Sequence, residues 1–320
     1  VGPADFPTMV QTMEVIEEFG LDHEVLGSAA LAERFPVFAA PAPGAAPDTA
    51  ILDPAGGGIR PELAVAWAQQ FALSGGATLW DNTRVLAVEP GPDRTLIRTE
   101  KGDVTASKVI VANGSWAADI FPDLAEHISV QSIPLTWYLP LDITGFLPSN
   151  LPIFMRDIVR EGTGGTGGTG DTDVWHCYGA PTLDGYSVKI SHGDFVGGAP
   201  TPDGLEVLRT GEIPEDVVRV FSERTAAFFD GMLDAPVRVS LHHDGFTADH
   251  APVLGHVPGT GGAVTVATGM SGNGMKFAPV YGRTAAQLAV DGTAPGLPEA
   301  FGYPTTTREP SAAVIPATLH

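Results

Sequence analysis

Two lysines stand in segments where a charged side chain is unusual. Lys276 follows a β-branched run, residues 264–268, and a turn with glycines at 269, 272 and 274. Lys189 interrupts the apolar alternation of residues 186–190. Only four of the 17 basic residues are lysines, so Lys189 and Lys276 are not readily explained as solvent-exposed residues without a specific role. A fixed cation in such a segment can bind a carboxylate or stabilise an anion as it forms.

The glycines at 269, 272 and 274 place Lys276 beside a loop that could bind a ligand. Glycine lets backbone N–H groups approach a ligand closely, and the N-terminus of a following helix favours negative charge. The spacing alone fits an ordinary strand–turn–helix with a solvated Lys276 equally well. A lysine within an apolar alternation, such as Lys189, can likewise point into solvent from a half-exposed strand.

Both helical and strand periodicities surround these segments. Amphipathic patterns predict helices at residues 6–19, 61–74, 116–121 and 280–290, and another opened by Pro214. Period-two patterns predict strands at 83–88, 95–99, 107–112, 133–141, 173–190 and 262–267. Strands and helices are mixed rather than strictly alternating, which predicts an α+β fold. The helix at 61–74 carries an apolar stripe of Leu63, Ala64, Trp67, Ala68 and Phe71.

Composition limits the partners of the chain. Its 320 residues carry a net charge of −21, which repels nucleic acid and anionic membranes. No apolar run approaches the roughly 20 residues that span a bilayer, and residues 1–11 lack the pattern of a secretory signal. A cytoplasmic location is therefore expected. Cys177 is the only cysteine, so an intrachain disulfide is excluded.

Residues 264–277 resemble the C-terminal flavin motif of one enzyme family, the monomeric sarcosine oxidase and N-methyltryptophan oxidase group of the D-amino-acid-oxidase superfamily. The resemblance implies that this turn borders the ring of FAD and that Lys276 holds the substrate carboxylate. Asn273 stands where the family often has histidine. The residues implied to contact FAD here are Gly269, Ser271, Gly272, Asn273, Gly274, Met275 and Lys276.

A second resemblance lies in the segment Tyr178-Gly-Ala-Pro and the strand that returns with Lys189 eleven residues later. In the resembling enzymes this lysine lies over the flavin and activates oxygen. The same likeness implies that Tyr178 lines the substrate pocket. His192 is a further catalytic candidate. It follows Lys189 by three residues, whereas the family histidine follows its lysine by four.

Further matches complete the comparison along the chain. Residues 246–255 resemble the segment that leads back into the FAD domain. Some family members attach flavin to a cysteine at the position of Leu241, so FAD is expected to be non-covalent here. Weaker matches imply that Val85, Gly114 and Trp116 also approach FAD; each of these could equally be ordinary packing.

The resemblance implies a glutathione-reductase-like FAD-binding α/β domain, formed by residues 59–130 and 244–320. This domain is interleaved with an antiparallel-sheet substrate domain, residues 1–58 and 131–243. The first βαβ unit of such enzymes, with its GxGxxG motif, is missing from the sequence, and an upstream segment is expected to encode it.

The implied activity is oxidation of an amine or N-methyl amino acid to an imine, with O₂ reduced to H₂O₂. A non-catalytic remnant or subunit, and a dehydrogenase that does not use O₂, are the alternatives.

Three other motifs in the chain would indicate different chemistry, but each lacks a required feature. The Gly-rich stretch at 162–170 matches GxGxxG literally, but no helical stripe follows it, so a dinucleotide site is not expected there. His242, His243, Asp244, His250 and His256 cluster without the spacing of metal ligands, and no metal is expected. Residues 269–273 lack the last glycine of a serine-hydrolase elbow.

Overall fold

The computed structural model describes residues 1–161, 172–193 and 213–309. The α-helices are α1 (Pro7–Phe19), α2 (Ser28–Arg34), α3 (Pro61–Ser74), α4 (Ala117–Ile120), α5 (Glu215–Phe228) and α6 (Gly274–Asp291). The strands are β1 (Gly2–Pro3), β2 (Glu24–Leu26), β3 (Asp48–Leu52), β4 (Val85–Glu89), β5 (Thr95–Thr99), β6 (Val104–Ala106), β7 (Val109–Val111), β8 (Ile128–Tyr138), β9 (Phe154–Glu161), β10 (Thr172–Ala180), β11 (Val188–His192), β12 (Arg238–Thr247), β13 (Val253–His256) and β14 (Val264–Thr268). Short 3-10 helices lie at Gly114–Trp116, Pro122–Glu126, Ile143–Phe146 and Glu299–Phe301.

The largest sheet has five strands in the order β12-β8-β11-β10-β9, and every pair in it is antiparallel. Alternate residues of a strand point to opposite faces, so this sheet has two distinct surfaces. One face carries Cys177, Val188 and Ile190 into an apolar core, where they meet the aromatic rings of Phe154 and Phe228. The other face carries Lys189 and Tyr178.

A smaller sheet combines β13, β14 and β7, with β14 and β7 parallel. Its core packs Val264 and Val266 against Val111 and Leu124. Helix α6 follows β14 after the Gly-rich turn and buries Leu288 near Leu254. Parallel strands that end side by side place the loops after them next to each other, which is where α/β sheets bind ligands.

Two further three-stranded sheets, β1-β3-β2 and β4-β5-β6, complete the described chain. The predicted mixture of helices and antiparallel strands is therefore confirmed. The interleaved domain boundaries remain a prediction, and the Gly-rich stretch at 162–170 lies outside the described residues. No helix in the part of the chain that the structure describes is long and apolar enough to cross a membrane.

Two sequence-based expectations are corrected by the helices. The helix expected at 280–290 begins six residues earlier, at Gly274, so Lys276 lies in its first turn rather than in a loop. Helix α3 forms where predicted, but none of its residues is buried. Trp67 is 63% and Phe71 70% exposed, so the apolar stripe lies on the surface of the described chain.

Candidate active site

The Gly-rich turn between β14 and α6 takes a backbone conformation that few side chains tolerate. Gly269, Ser271 and Gly272 all have positive φ, at 62°, 49° and 78°. At Gly269 the space is closed as well, since a Cβ there would lie 2.9 Å from Cγ2 of Thr247. Ser271 is fully buried, and its Oγ accepts the backbone N–H of Thr247 at 3.1 Å. The turn is therefore held tightly against β12.

The N-terminus of α6 retains free hydrogen-bond donors. The Asn273 side chain donates to the carbonyl of Ser271 instead of capping the helix. The N–H groups of Gly274, Met275 and Lys276 lie in the first turn, where a helix supplies no acceptor. The N–H groups of Ser271 and Gly272, in contrast, bind the Gly245 carbonyl and the Asp244 carboxylate. The donors that remain for a ligand are thus those of residues 274–276.

The loop after β7 lies beside this turn. Gly114 has a φ of 59°, and its carbonyl accepts the Thr268 hydroxyl at 2.7 Å. The next residue, Ser115, has its Oγ 2.9 Å from Nδ1 of His243. The Trp116 ring meets the same imidazole edge-to-face, with 4.2 Å between ring centroids. These contacts fix the loop to the ends of the parallel strands.

A cleft of about 1230 Å³ opens at this place. Its walls come from β4, β7 and β12 and from the loop after β7. Val85, Trp116 and Leu241 are among the lining residues, together with Asn113 and His243. The Oδ1 atom of Asn113 is buried without a partner among the described residues, so the cleft wall contains an unsatisfied acceptor.

The polar face of the five-stranded sheet brings Lys189 and Tyr178 together. On the paired strands Tyr178 faces Ser191, and Ala180 faces Lys189. The Lys189 Nζ atom lies 5.6 Å from the centre of the Tyr178 ring. Burial lowers the pKa of Lys189 and raises the pKa of Tyr178 to about 12. The pair thus combines a partly desolvated cation with a neutral phenol.

Strand β12 connects that face with the Gly-rich turn. Four residues of β12 point to the same face of the sheet as Lys189, namely 238, 240, 242 and 244. Lys189 pairs with Trp137 of β8, and each of these four pairs with Trp137 or with a β8 residue that points the same way. The pKa of His242 is lowered by burial and then by the charges of Lys189 and Arg238. Further along the strand, Asp244 binds Gly272.

His192 does not join this site. It lies opposite Cys177 and points into the apolar core, on the other side of the sheet from Lys189. Its ring packs 4.9 Å from Phe221, and Nε2 meets the Thr225 hydroxyl at 3.1 Å. Burial lowers the pKa of His192 to about 3. The geometry does not support the catalytic assignment of His192, because three residues along a strand reverse the direction of the side chain.

Asp244 and His243 are the site residues that were not singled out from the sequence. In the sequence they stand only within a loose histidine cluster, residues 242–256. Within the described ranges, no group of three or more His, Cys, Asp or Glu side chains is arranged to hold a metal ion. The alternation along β12 separates neighbours of this cluster onto opposite faces, with Asp244 on one and His243 on the other.

Known proteins resemble the chain over most of its length. A family model described as FAD dependent oxidoreductase matches residues 2–288. The chain belongs to this family. It is 26% identical over 295 residues to a monomeric sarcosine oxidase of Streptomyces avermitilis, covering 92% of this chain and 71% of that protein. It is 27% identical over 297 residues to an N-methyl-L-tryptophan oxidase of Escherichia coli, covering 91% and 71%.

Solved structures share the fold. A glycine oxidase from Geobacillus kaustophilus matches with a TM-score of 0.70 at 19% identity, covering 96% of this chain and 74% of that one. An L-proline dehydrogenase from P. horikoshii matches with a TM-score of 0.68 at 19% identity, covering 90% and 70%. At this identity the likeness shows the fold alone. The family makes the protein an FAD-dependent oxidoreductase, and the resemblance drawn from the sequence is confirmed.

The observed residues fit a flavin cofactor. The cleft beside β7, an unsatisfied acceptor at Asn113 and an uncapped helix N-terminus supply space and polar groups for part of FAD. Backbone N–H groups at a helix N-terminus bind negatively charged or carbonyl oxygens well. The candidate contacts are therefore residues 274–276 at the helix, Val85 and Trp116 along the cleft, and Gly114 in the loop after β7.

Proposed function

We propose that the protein oxidises an amine next to a carboxylate, such as sarcosine or another N-methyl amino acid, and uses O₂ as the electron acceptor. Bound FAD would take a hydride from the carbon attached to nitrogen and pass both electrons to O₂, giving an imine and H₂O₂. Water then hydrolyses the imine. The single observation that carries this proposal is the half-buried Lys189 beside Tyr178 in a chain similar to sarcosine oxidases.

The proposed role of Lys189 is to promote the reaction with oxygen. No carboxylate among the described residues lies within ion-pair distance of Lys189. A fixed positive charge in a site shielded from water stabilises an anion as it forms, including superoxide. Partial burial strengthens this effect because it lowers the effective dielectric around the charge.

The proposed roles of Lys276 and Tyr178 concern the substrate. Lys276 is exposed in the first turn of α6, so its ammonium can reach a carboxylate placed before that helix. Tyr178 presents its ring on the same sheet face as Lys189 and would form a wall of the substrate pocket. With a pKa of about 12, its phenol stays protonated at neutral pH and can donate a hydrogen bond.

The FAD site is proposed to be completed by a βαβ unit. The support for this is the exposed apolar surface of α3 and its surroundings. Trp67, Phe71 and Trp80 are all more than half exposed, and Ile110 on β7 is 42% exposed. Apolar patches of this kind mark surfaces that another element covers. A strand pairing with the free edge of β7, followed by a helix near α3, would bury these residues.

Half-reaction kinetics test the proposal. In the FAD-loaded protein, Lys189→Met should slow flavin reoxidation by O₂ about 10²–10³-fold, as expected for losing one fixed charge. Anaerobic reduction by substrate should change far less. Lys101→Met is the matched control, because Lys101 binds the Asp81 carbonyl on the exterior. Equal effects on both half-reactions, or none on reoxidation, would end the assignment to oxygen activation.

A dehydrogenase that does not use O₂ is the second candidate, because an L-proline dehydrogenase has the same fold. The two candidates differ in what reoxidises the flavin. Substrate-dependent O₂ consumption with an equal amount of H₂O₂ supports the oxidase. Turnover only with an added dye or quinone acceptor supports the dehydrogenase.

A further inference from the structure

Asp244 has contacts that an ordinary strand residue would not make. Its Oδ1 accepts the N–H of Gly245 at 2.7 Å. Its Oδ2 accepts the N–H of Gly272, also at 2.7 Å, from 28 residues further along the chain. Both carboxylate oxygens are therefore hydrogen-bonded to backbone donors. One of these bonds ties the five-stranded sheet to the Gly-rich turn.

The turn depends on contacts of this kind. Ser271 and Gly272 are consecutive residues in the left-handed region, and a side chain such as that of Ser271 disfavours it. A conformation of this type persists only where the surroundings impose it. Three hydrogen bonds from backbone N–H groups do so, and they join the turn to β12 at Asp244, Gly245 and Thr247. The hydroxyls of Ser271 and Thr247 add a fourth contact.

The carboxylate bond differs from the other two. It joins an N–H to an ionisable group, and such bonds are shorter and stronger than bonds between neutral groups. The pKa of Asp244 is raised by burial, which the N–H groups of Gly272 and Gly245 oppose. A partly desolvated carboxylate on a strand is unfavourable unless it is paired. The two backbone donors provide that pairing.

We infer that Asp244 is a positioning residue that holds the Gly-rich turn in the shape that receives the flavin. By accepting the N–H of Gly272, it fixes the end of the turn from which α6 begins, where the donors of residues 274–276 have no side-chain cap. Asp244 thus acts on the flavin through the turn. The flavin part of this inference rests on the proposed function, whereas the hold on the turn does not.

Hydrogen exchange of the full chain tests the hold on the turn directly. In Asp244→Ala, the hydrogen-bonded amides of residues 271–273 should exchange about 10- to 100-fold faster, the range for losing a hydrogen bond to a charged acceptor. Asp244→Asn, which keeps one acceptor oxygen, should lie between. Asp142→Ala is the matched control, since Asp142 accepts the Thr144 N–H at a 3-10 helix elsewhere. Unchanged exchange in the turn, or equal acceleration throughout β8 and β12, would overturn the inference.

Flavin binding to the same variants tests the consequence. Asp244→Ala should bind FAD about 10-fold or more weakly, with a shifted visible absorption band, and Asp244→Asn should recover part of both. Asp142→Ala should match the wild type. Faster exchange in the turn with unaltered flavin affinity and spectrum would overturn the positioning role. A wild-type chain that binds no FAD would remove the flavin part together with the proposed function, and the exchange result alone would then decide the hold on the turn.

Discussion

Burial of His192 gives the stability of the protein a specific pH dependence. The ring lies in the core between Phe221 and Phe228, with its pKa lowered to about 3 by desolvation and then by the charge of Arg224. In the unfolded chain the imidazole has its ordinary value of 6.5. Below that value the unfolded chain binds a proton that the folded protein excludes. The contribution of His192 to the free energy of unfolding is therefore fully present above about pH 6.5 and is lost as the pH falls toward 3.

The size of this loss follows from the two pKa values. At pH 5 the unfolded histidine is protonated and the folded one is neutral. The interval of about 1.5 pH units, at about 1.4 kcal/mol per unit, corresponds to about 2 kcal/mol. Between pH 7.5 and pH 5, the wild type should therefore lose about 2 kcal/mol more than His192→Gln, which cannot titrate.

Urea unfolding at the two pH values measures this difference. Thr225→Val serves as the control, because it removes the hydroxyl that meets Nε2 and leaves the titrating ring in place. It should be destabilised at both pH values and keep the wild-type pH dependence. An identical pH dependence in the wild type and His192→Gln would show that the ring is not held neutral in the core. The placement of His192 in the apolar core, on the other side of the sheet from Lys189, would then be wrong.

Three further predictions concern the cofactor and the substrate. Lys276→Met should weaken binding of carboxylate inhibitors, by on the order of 2–4 kcal/mol if the bound ion pair is desolvated, as measured by flavin absorbance titration. The control Lys108→Met should show no matching loss, because Lys108 donates to the Gly262 carbonyl on the exterior. Acid precipitation should release FAD intact, because Leu241 cannot form a covalent bond to it; yellow colour retained by the precipitate would contradict this. Trp116→Ala should weaken FAD binding measurably, because its ring lines the cleft; unchanged affinity would place the cofactor elsewhere.

Local sequence patterns predicted the elements better than the contacts between them. The hairpin that sets Tyr178 near Lys189 could be predicted, since both lie on adjacent period-two segments. Strand alternation also predicts that His192, three residues after Lys189, points to the opposite face of the sheet, whereas the likeness to the family favours a catalytic role. The missed role of Asp244 has a different cause. Its partner Gly272 is 28 residues away, and nothing in the local pattern specifies that contact.

Helix α3 shows the same limit for packing. Periodicity correctly predicted a helix with an apolar stripe, because that pattern depends only on neighbours in sequence. It could not predict that Trp67 and Phe71 would stay exposed in the described chain. What covers a helix is decided by other elements, and a stripe by itself does not identify them.

The most direct test of the central claim is anaerobic mixing of the FAD-loaded protein with sarcosine or another N-methyl amino acid. The visible absorbance of the oxidised flavin should bleach and then return when O₂ is admitted, with one H₂O₂ formed for each flavin reoxidised. Failure to bleach with every N-methyl and primary amino acid tried, in a protein that holds FAD, would contradict the claim that the Lys189 face and the Gly-rich turn form an amine-oxidising site.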